Sequence, residues 1–167
     1  ATRVVLVGVG EGTPKHVRSA IGTALGGIKS ESLKKLVVAF AGAALEAAAR
    51  AAVLAVADSS YVFTHTKSKP EGRTVHKVTI AAPNASELQS TFDRTVAIVA
   101  GIEMAKEWAN RPANHATPTL LAKAAQVLVA KQAKFSCEVL GPKEVAKLGM
   151  GSFLAVAQGS DEPLRFI

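Results

Sequence analysis

The stretch that most constrains the fold of this chain is Asn110–Thr119, which contains two prolines, Pro112 and Pro118. Proline fixes its own φ angle, and it pushes the residue before it out of the helical region. An apolar stripe at helical spacing precedes the stretch and reaches about Ala109. Thr117 suits a helix N-cap, with Pro118 at the first helical position. The sequence therefore predicts two helices separated by a stiff joint.

The first half of the chain alternates strand-like and helix-like segments. Arg3–Val7 and Leu36–Phe40 are continuous apolar runs typical of strands buried on both faces, and Val75–Ile80 alternates as a third strand. Pro14 opens one helical pattern, and the alanine-rich segment Ala41–Ala57 forms another. This alternation predicts an α/β fold, with a three-layer N-terminal domain around a mostly parallel sheet.

The second half predicts a long helix followed by the first α/β elements of another domain. The pattern Ser86-Glu87-Leu88-Gln89 resembles a capping box, and Asn84-Ala85-Ser86 is interpreted as a helix cap rather than a glycosylation site. The buried stripe of the long helix is expected to consist of Leu88, Phe92, Val96, Val99 and Ile102.

After the joint, Leu121, Ala125 and Leu128 should form the buried face of the next helix. The alternation of Phe135, Cys137 and Val139 predicts a half-buried strand. Gly141-Pro142 starts a short helix that Gly149 ends, whereas residues 152–157 fit either helix or strand.

Charge and cysteine content limit the functional classes. The formal net charge is +7, which can attract nucleic acid, acidic lipid or acidic substrates, but the basic residues are scattered and a solvated surface is the favoured interpretation. The single cysteine favours a reducing compartment. The N-terminus does not resemble a signal peptide, and Glu46 and Arg50 make the apolar run at residues 42–57 a poor membrane span. Because the chain begins and ends close to apolar, strand-like segments, we expect a window of a longer polypeptide.

The glycine-rich segment Gly8-Val9-Gly10-Glu11-Gly12 is the first candidate site. It lies between a predicted strand and a predicted helix, where backbone N–H groups can hold a pyrophosphate, so a nucleotide-binding α/β module is one alternative. Its spacing is G-x-G-x-G rather than G-x-G-x-x-G, and Glu11 would place a negative charge beside a phosphate. A tight strand-to-helix turn is the favoured interpretation.

The other chemically suggestive side chains form no catalytic pattern. No metal-ligand spacing relates the four histidines, and Cys137 is expected to be a buried, inert thiol. Trp108 should pack at a domain junction, and Arg111 should pair with a carboxylate or a helix end. These candidates are His16, His65, His76, His115, Cys137, Trp108 and Arg111. No catalytic, cofactor-binding or metal-binding residue is assigned in the chain.

Several segments, in order, carry a family resemblance. Ala100–Asn114 resembles the linker helix and Asn-x-Pro-x-Asn joint of the M17 leucyl aminopeptidases, also called cytosol aminopeptidases. Thr117–Ala122, Leu148–Gly151, Leu154–Ser160 and Pro163–Arg165 are similar to the segments that follow in that family. The resemblance implies an N-terminal α/β domain at residues 1–85, a linker helix at 86–110, and the start of a catalytic domain at 111–167.

The resemblance also implies a function. Members of this family are hexameric cytoplasmic enzymes that cleave N-terminal residues from peptides, using two divalent metal ions, Mn or Zn, and a bicarbonate. The metals activate a bridging water and polarise the scissile carbonyl. The family's metal-ligand and catalytic motifs are absent from this sequence, so the ligands are expected outside the chain. The chain would then contribute scaffold and contacts between subunits, without the active site. Some members also bind DNA, which leaves a DNA-binding or regulatory role as an alternative.

Overall fold

The computed structural model describes residues 3–28, 33–130 and 132–167. The chain divides into two compact units, Ala1–Ala109 and Asn110–Ile167. In the described part, no helix is both long enough and apolar enough to span a lipid bilayer.

The described residues of the first unit form three helices and two strands. In chain order they are α1 (Pro14–Ile28), β1 (Lys35–Ala39), α2 (Glu46–Ser60), β2 (Lys77–Ala81) and α3 (Gln89–Ala109). The strands pair in parallel, from Lys35 opposite Lys77 to Ala39 opposite Ala81. Parallel neighbours need a crossover connection, which α2 supplies. The predicted α/β class and the parallel pairing are thus confirmed.

The core of the first unit forms where alanine-rich α2 meets α1. Ala52 is completely buried, and Ala55 and Val56 are nearly so. They pack with Val17, Ile21 and Leu25 of α1, and the partly buried side chains of Leu36, Val38 and Ile80 contact the same cluster. Small side chains let the two helices approach closely, which agrees with the low aromatic content of 5%.

The predicted strand at Arg3–Val7 is wrong for the described structure. These residues adopt no strand pairing, and the side chains of Val4 and Leu6 are 80% and 94% exposed. The apolar, β-branched run favours an extended backbone, but a strand also needs a hydrogen-bonded partner. Within the described residues, the sheet contains only β1 and β2.

Asn84 fixes the backbone that leads into α2. Its Oδ1 accepts a hydrogen bond from the N–H of Ala44 at 2.9 Å, and its Nδ2 donates to the carbonyl of Ala44 at 3.1 Å. The side-chain amide thus satisfies both backbone groups of a buried residue. Asn84 was predicted to act as a helix cap, whereas its two bonds to Ala44 join segments 40 residues apart.

The inner face of α3 differs from the predicted stripe. Leu88, just before the helix, is buried as expected, but Val96 and Ile102 are 46% and 41% exposed. Thr95 is the buried residue instead, and its hydroxyl donates to the carbonyl of Thr91 at 2.6 Å. This bond offsets the cost of burying a polar side chain. Thr95 can therefore occupy the buried position that the apolar periodicity predicts for its neighbour Val96.

Charged side chains tie α3 to the rest of the first unit. Asp58, near the end of α2, accepts hydrogen bonds from Lys106 of α3 and from Arg18 of α1, the latter at 3.0 Å. Lys106 also lies 5.1 Å from the ring centre of Tyr61. The hydrogen bond from Lys106 lowers the pKa of Asp58; partial burial opposes this effect, and the positive charges of Lys106 and Arg18 add to it.

Two further polar contacts hold the same end of α3. The Tyr61 hydroxyl lies 3.3 Å from a carboxylate oxygen of Glu107, to which it donates. Arg73 forms an ion pair with Glu103 and also donates from Nε to the carbonyl of Ser60 at 3.1 Å. The C-terminal half of α3 is therefore positioned mainly by polar contacts.

The second unit is helical in its described part. It contains a 3-10 helix at Ala113–His115 and the helices α4 (Pro118–Val129), α5 (Pro142–Lys147) and α6 (Gly151–Ala157). Val145 is completely buried, and Leu164 is nearly so. Phe166 packs edge-on against Phe153, with ring centres 5.9 Å apart. The short helix predicted after Gly141-Pro142 is confirmed, and residues 152–157 are helical.

Two predictions for the second unit are wrong. The segment from Phe135 to Val139 is not a strand, and Phe135 is 70% exposed. In the part of this unit that the structure describes, strand-like pairing is confined to an antiparallel bridge between Leu140 and Phe166. In α4, Ala122 is the buried residue, whereas Leu121 and Leu128 are 39% and 52% exposed. The apolar residues of α4 occupy more than one face, so periodicity alone did not identify the packed one.

We expect Asp58→Asn to lower the free energy of unfolding at neutral pH by about 1 kcal/mol or less, because the carboxylate is 45% exposed and solvent screens its ion pairs. Since the folded pKa lies below the unfolded value of about 3.9, the contribution is complete above that value and disappears as pH falls through the folded pKa. Urea unfolding of both proteins from pH 7 down to pH 2.5 measures it. Asp161→Asn, at an exposed turn, is the control. An undiminished difference at pH 2.5 would contradict the role of Asp58.

Candidate functional site

The joint between α3 and α4 is built from short backbone hydrogen bonds. Pro112 is extended, with φ −66° and ψ 160°, and the 3-10 helix follows it directly. The N–H of His115 donates to the carbonyl of Pro112 at 2.8 Å, and that of Ala116 donates to Ala113 at 3.2 Å. The prolines therefore interrupt the helices as predicted, and the residues between them form one tight turn.

Thr117 ends the joint by capping α4. It is extended, with φ −69° and ψ 156°, and its side-chain oxygen accepts a hydrogen bond from the N–H of Leu120 at 3.3 Å. Pro118 occupies the first turn, where the absent N–H costs no intrahelical bond. The predicted cap is confirmed.

The glycine-rich segment closes on itself. The N–H of Gly12 donates to the carbonyl of Val9 at 2.8 Å, and Gly10 and Gly12 adopt positive φ angles of 52° and 68°. The imidazole of His16 lies against Gly10, where an added Cβ would come within 3.3 Å of Nδ1. Thr13 then caps α1, because its hydroxyl accepts from the N–H of His16 at 3.3 Å.

This geometry favours a turn over a phosphate site. The N–H groups of Gly12 and His16, which a pyrophosphate would need, are already engaged within the segment. The strand expected before the loop is missing as well. Glu11 remains exposed beside it.

The remaining candidate side chains are not brought together. His16 is at the start of α1, His76 precedes β2, His65 lies in the connection between α2 and β2, and His115 is in the joint. Among residues 3–28, 33–130 and 132–167, no three histidine, cysteine, aspartate or glutamate side chains form a group that could hold a metal ion. Cys137 is only half-buried, and Trp108 and Arg111 are also half-buried.

The first unit contains a cavity of about 620 Å³ that was not predicted from the sequence. It lies where β1 and β2 begin and where α2 ends, and the connection from Val62 to Val75 contributes to its lining. Its walls come from four separate segments, so no local motif marks it.

Comparison with known proteins identifies two consecutive family matches. Residues 1–70 match the N-terminal domain of the cytosol aminopeptidase family, and residues 103–167 match the catalytic domain of the same family. The two matches occur in the order that the sequence resemblance implies, with the N-terminal domain first and the catalytic domain second.

Curated bacterial relatives align along essentially the whole chain. A probable cytosol aminopeptidase of Albidiferax ferrireducens is 60% identical over 99% of the chain, and one of an Acidovorax species is 53% identical over 100%. The chain covers 34% of each relative. It therefore spans about a third of the length of the curated relatives it matches.

Solved structures show a similar fold. A mutant of tomato leucine aminopeptidase matches with a TM-score of 0.77 and 24% identity, over 91% of this chain and 32% of that one. The bottromycin maturation enzyme BotP matches with a TM-score of 0.79 and 22% identity, over 95% and 35%. BotP solved in complex with Mn matches with a TM-score of 0.78 and 22% identity, over 95% and 34%.

Replacing Thr117 by alanine should cost about 1 kcal/mol of stability in α4, because the N–H of Leu120 loses its side-chain acceptor. Thr117→Ser keeps the oxygen and should remain close to the original protein. Amide hydrogen exchange at Leu120 reports the effect locally: it should accelerate in the alanine variant alone. Equal exchange in all three proteins would show that the cap contributes nothing.

Proposed function

The chain belongs to the cytosol aminopeptidase family, and from that premise we propose that it forms part of a metal-dependent aminopeptidase that removes N-terminal residues from peptides. One observation carries the proposal: models of both domains of this family match, in order, at residues 1–70 and 103–167. Relatives named probable cytosol aminopeptidase support it with 60% and 53% identity. The activity is proposed for the longer polypeptide, since the chain spans about a third of those relatives.

We propose two divalent metal ions, Mn or Zn, with a bicarbonate beside them, as the cofactors of that enzyme. The structural neighbour BotP, which has been solved in complex with Mn, supports a divalent ion. The described residues of this chain do not fit such a centre, because no group of three suitable side chains converges among them. The ligands are therefore proposed to lie in other parts of the polypeptide, and no residue here is given a role in the metal chemistry.

The chain's own contribution is a scaffold. We propose an N-terminal domain at residues 1–85, a linker helix at 86–110 and the start of the catalytic domain at 111–167. The separate family matches support this division, as does the boundary between the two compact units at Ala109 and Asn110. The capped joint with its two prolines would then be the first segment of the catalytic domain.

Peptides are the proposed substrates, and the proposed assembly is a homo-hexamer in the cytoplasm. The names of the relatives support both an action on peptides and the compartment. Exposed apolar side chains support further protein contacts, because such groups gain from being covered. Val127 and Leu128 of α4 are 54% and 52% exposed, and Val156 of α6 is 85% exposed.

The full-length polypeptide, supplied with Mn, should release p-nitroaniline from leucyl-p-nitroanilide, and chelation of the metal should abolish the release. The matched control is the N-acetylated substrate, which lacks the free amino terminus that an aminopeptidase requires. Cleavage of both substrates alike, or cleavage of neither with Mn or Zn present, would refute the proposed activity.

DNA binding is a second candidate that one observation favours. The parallel pairing places Lys35 directly opposite Lys77, and both are exposed, as are the adjacent Lys34 and His76. Like charges facing each other across a ladder are destabilising, and an anionic partner would offset this cost. Three lysines and a histidine from two chain segments thus form a local basic cluster in the fold.

If that cluster contacts phosphates, Lys35→Glu/Lys77→Glu should weaken DNA binding in a gel shift at low salt by about tenfold or more and should flatten its salt dependence. Lys123→Glu/Lys143→Glu, at exposed positions of the second unit, is the charge-matched control. No shift of the original protein at low salt, or equal losses in both variants, would remove this candidate.

A further inference from the structure

The cavity of the first unit has the size and wall of a small-molecule site. Its volume of about 620 Å³ falls within the range of about 300–1,000 Å³ that is usual for ligand pockets. Six aliphatic side chains contribute to its wall, and they are Leu25, Leu33, Leu36, Val56, Val62 and Val75. An apolar group placed there would be removed from water.

Polar side chains lie beside this apolar wall, and the cations among them outnumber the anions. Lys34 and Lys67 line the cavity, and both are exposed at its rim. Glu71 is the one acidic side chain among the described residues that line it, and Ser59 and Thr74 add hydroxyl groups. The described residues of the lining therefore carry a net positive charge beside an apolar surface.

The C-terminal end of α2 does not cancel this charge. The carbonyl groups at a helix C-terminus carry partial negative charge and would repel an anion. Here the carbonyl of Ser60 accepts from Arg73 Nε at 3.1 Å, and that of Ala57 accepts from the Ser60 hydroxyl at 3.3 Å. The guanidinium of Arg73 thus lies against the end of α2 and offsets the partial negative charge there. Its ion pair with Glu103 partly neutralises the guanidinium charge.

The surroundings extend the positive field. The N–H of His76 donates to the carbonyl of Lys34 at 2.9 Å, which brings the start of β2 beside the start of β1. Lys35 and Lys77 follow as a cross-strand pair on the same edge. The positive charges of these lysines would therefore attract an anionic ligand toward the mouth of the cavity before it contacts the wall.

We propose that this cavity binds a small amphipathic anion, with an apolar body against the aliphatic wall and a carboxylate or phosphate head at Lys34 and Lys67. Open α/β sheets usually bind their ligands at the carboxyl ends of the strands, whereas this cavity lies at the opposite ends. The proposed binding takes place in the N-terminal unit, and it depends neither on the proposed metal centre nor on peptide cleavage.

Calorimetric titration of the full-length protein with octanoate tests the proposal directly. Octanoate supplies an apolar chain and a carboxylate, 1-octanol supplies the chain without the charge, and inorganic phosphate supplies charge without the chain. We expect octanoate to bind about tenfold or more tightly than either of the other probes, because only octanoate uses both features of the cavity.

Charge variants locate the head group. Lys34→Glu/Lys67→Glu should weaken octanoate binding about tenfold and leave 1-octanol binding nearly unchanged, since it reverses only the rim. Glu71→Gln should strengthen octanoate binding about threefold by removing the opposing charge. Lys123→Glu/Lys143→Glu matches the double variant in charge and is expected to leave octanoate binding unchanged.

Thermal unfolding and far-ultraviolet circular dichroism verify that each variant is folded. Glu71→Gln keeps the test decisive if the double reversal proves unstable, because its predicted effect has the opposite sign. The proposal is overturned if octanoate binds no more tightly than 1-octanol, or if neither the rim reversal nor Glu71→Gln changes its affinity. Loss of aminopeptidase activity would not affect these binding measurements, so the two proposals fail separately.

Discussion

The close contact between α1 and α2 is the interaction on which the rest of the first unit depends. Ala52 and Ala55 are buried at this contact, where they pack against the aliphatic residues of α1. Their small side chains allow the two helices to lie close together. Protein interiors are packed too densely to absorb larger groups without strain. The sheet packs against the same cluster, and α2 also carries Asp58, through which α3 is held. Helix α2 thus links every element of the unit.

Features set by neighbouring residues were predictable from the sequence. The Thr117 cap, the proline-interrupted joint and the helix after Gly141 depend on local backbone preferences, and they appear where they were expected. The strands expected at Arg3–Val7 and at Phe135–Val139 required partners as well as propensity, and the described structure provides none for them. The hydrogen bonds between Asp58 and Lys106 and between Asn84 and Ala44 join residues 48 and 40 positions apart. Contacts over such distances in the chain cannot be predicted from local periodicity.

The functional conclusion comes from the order of motifs around a structural joint. The family models match residues 1–70 and 103–167, and the second match includes the joint, whose own geometry is that of a capped turn between helices. The cavity in the first unit, by contrast, could not be predicted from motifs, because Lys34, Lys67 and Glu71 line one site only in the folded chain. The sequence motifs therefore support the proposed peptide hydrolysis, whereas the folded geometry of the first unit supports the proposed ligand binding.

We propose that this chain supplies the scaffold of a two-metal aminopeptidase whose metal ligands lie outside it. Calorimetric titration with Mn²⁺ of the full-length protein and of residues 1–167 alone tests it most directly. We expect two bound ions per full-length polypeptide and no specific binding by residues 1–167, which show no ligand group in their described part. Equal, saturable binding to both proteins, or none to the full-length protein, would contradict it.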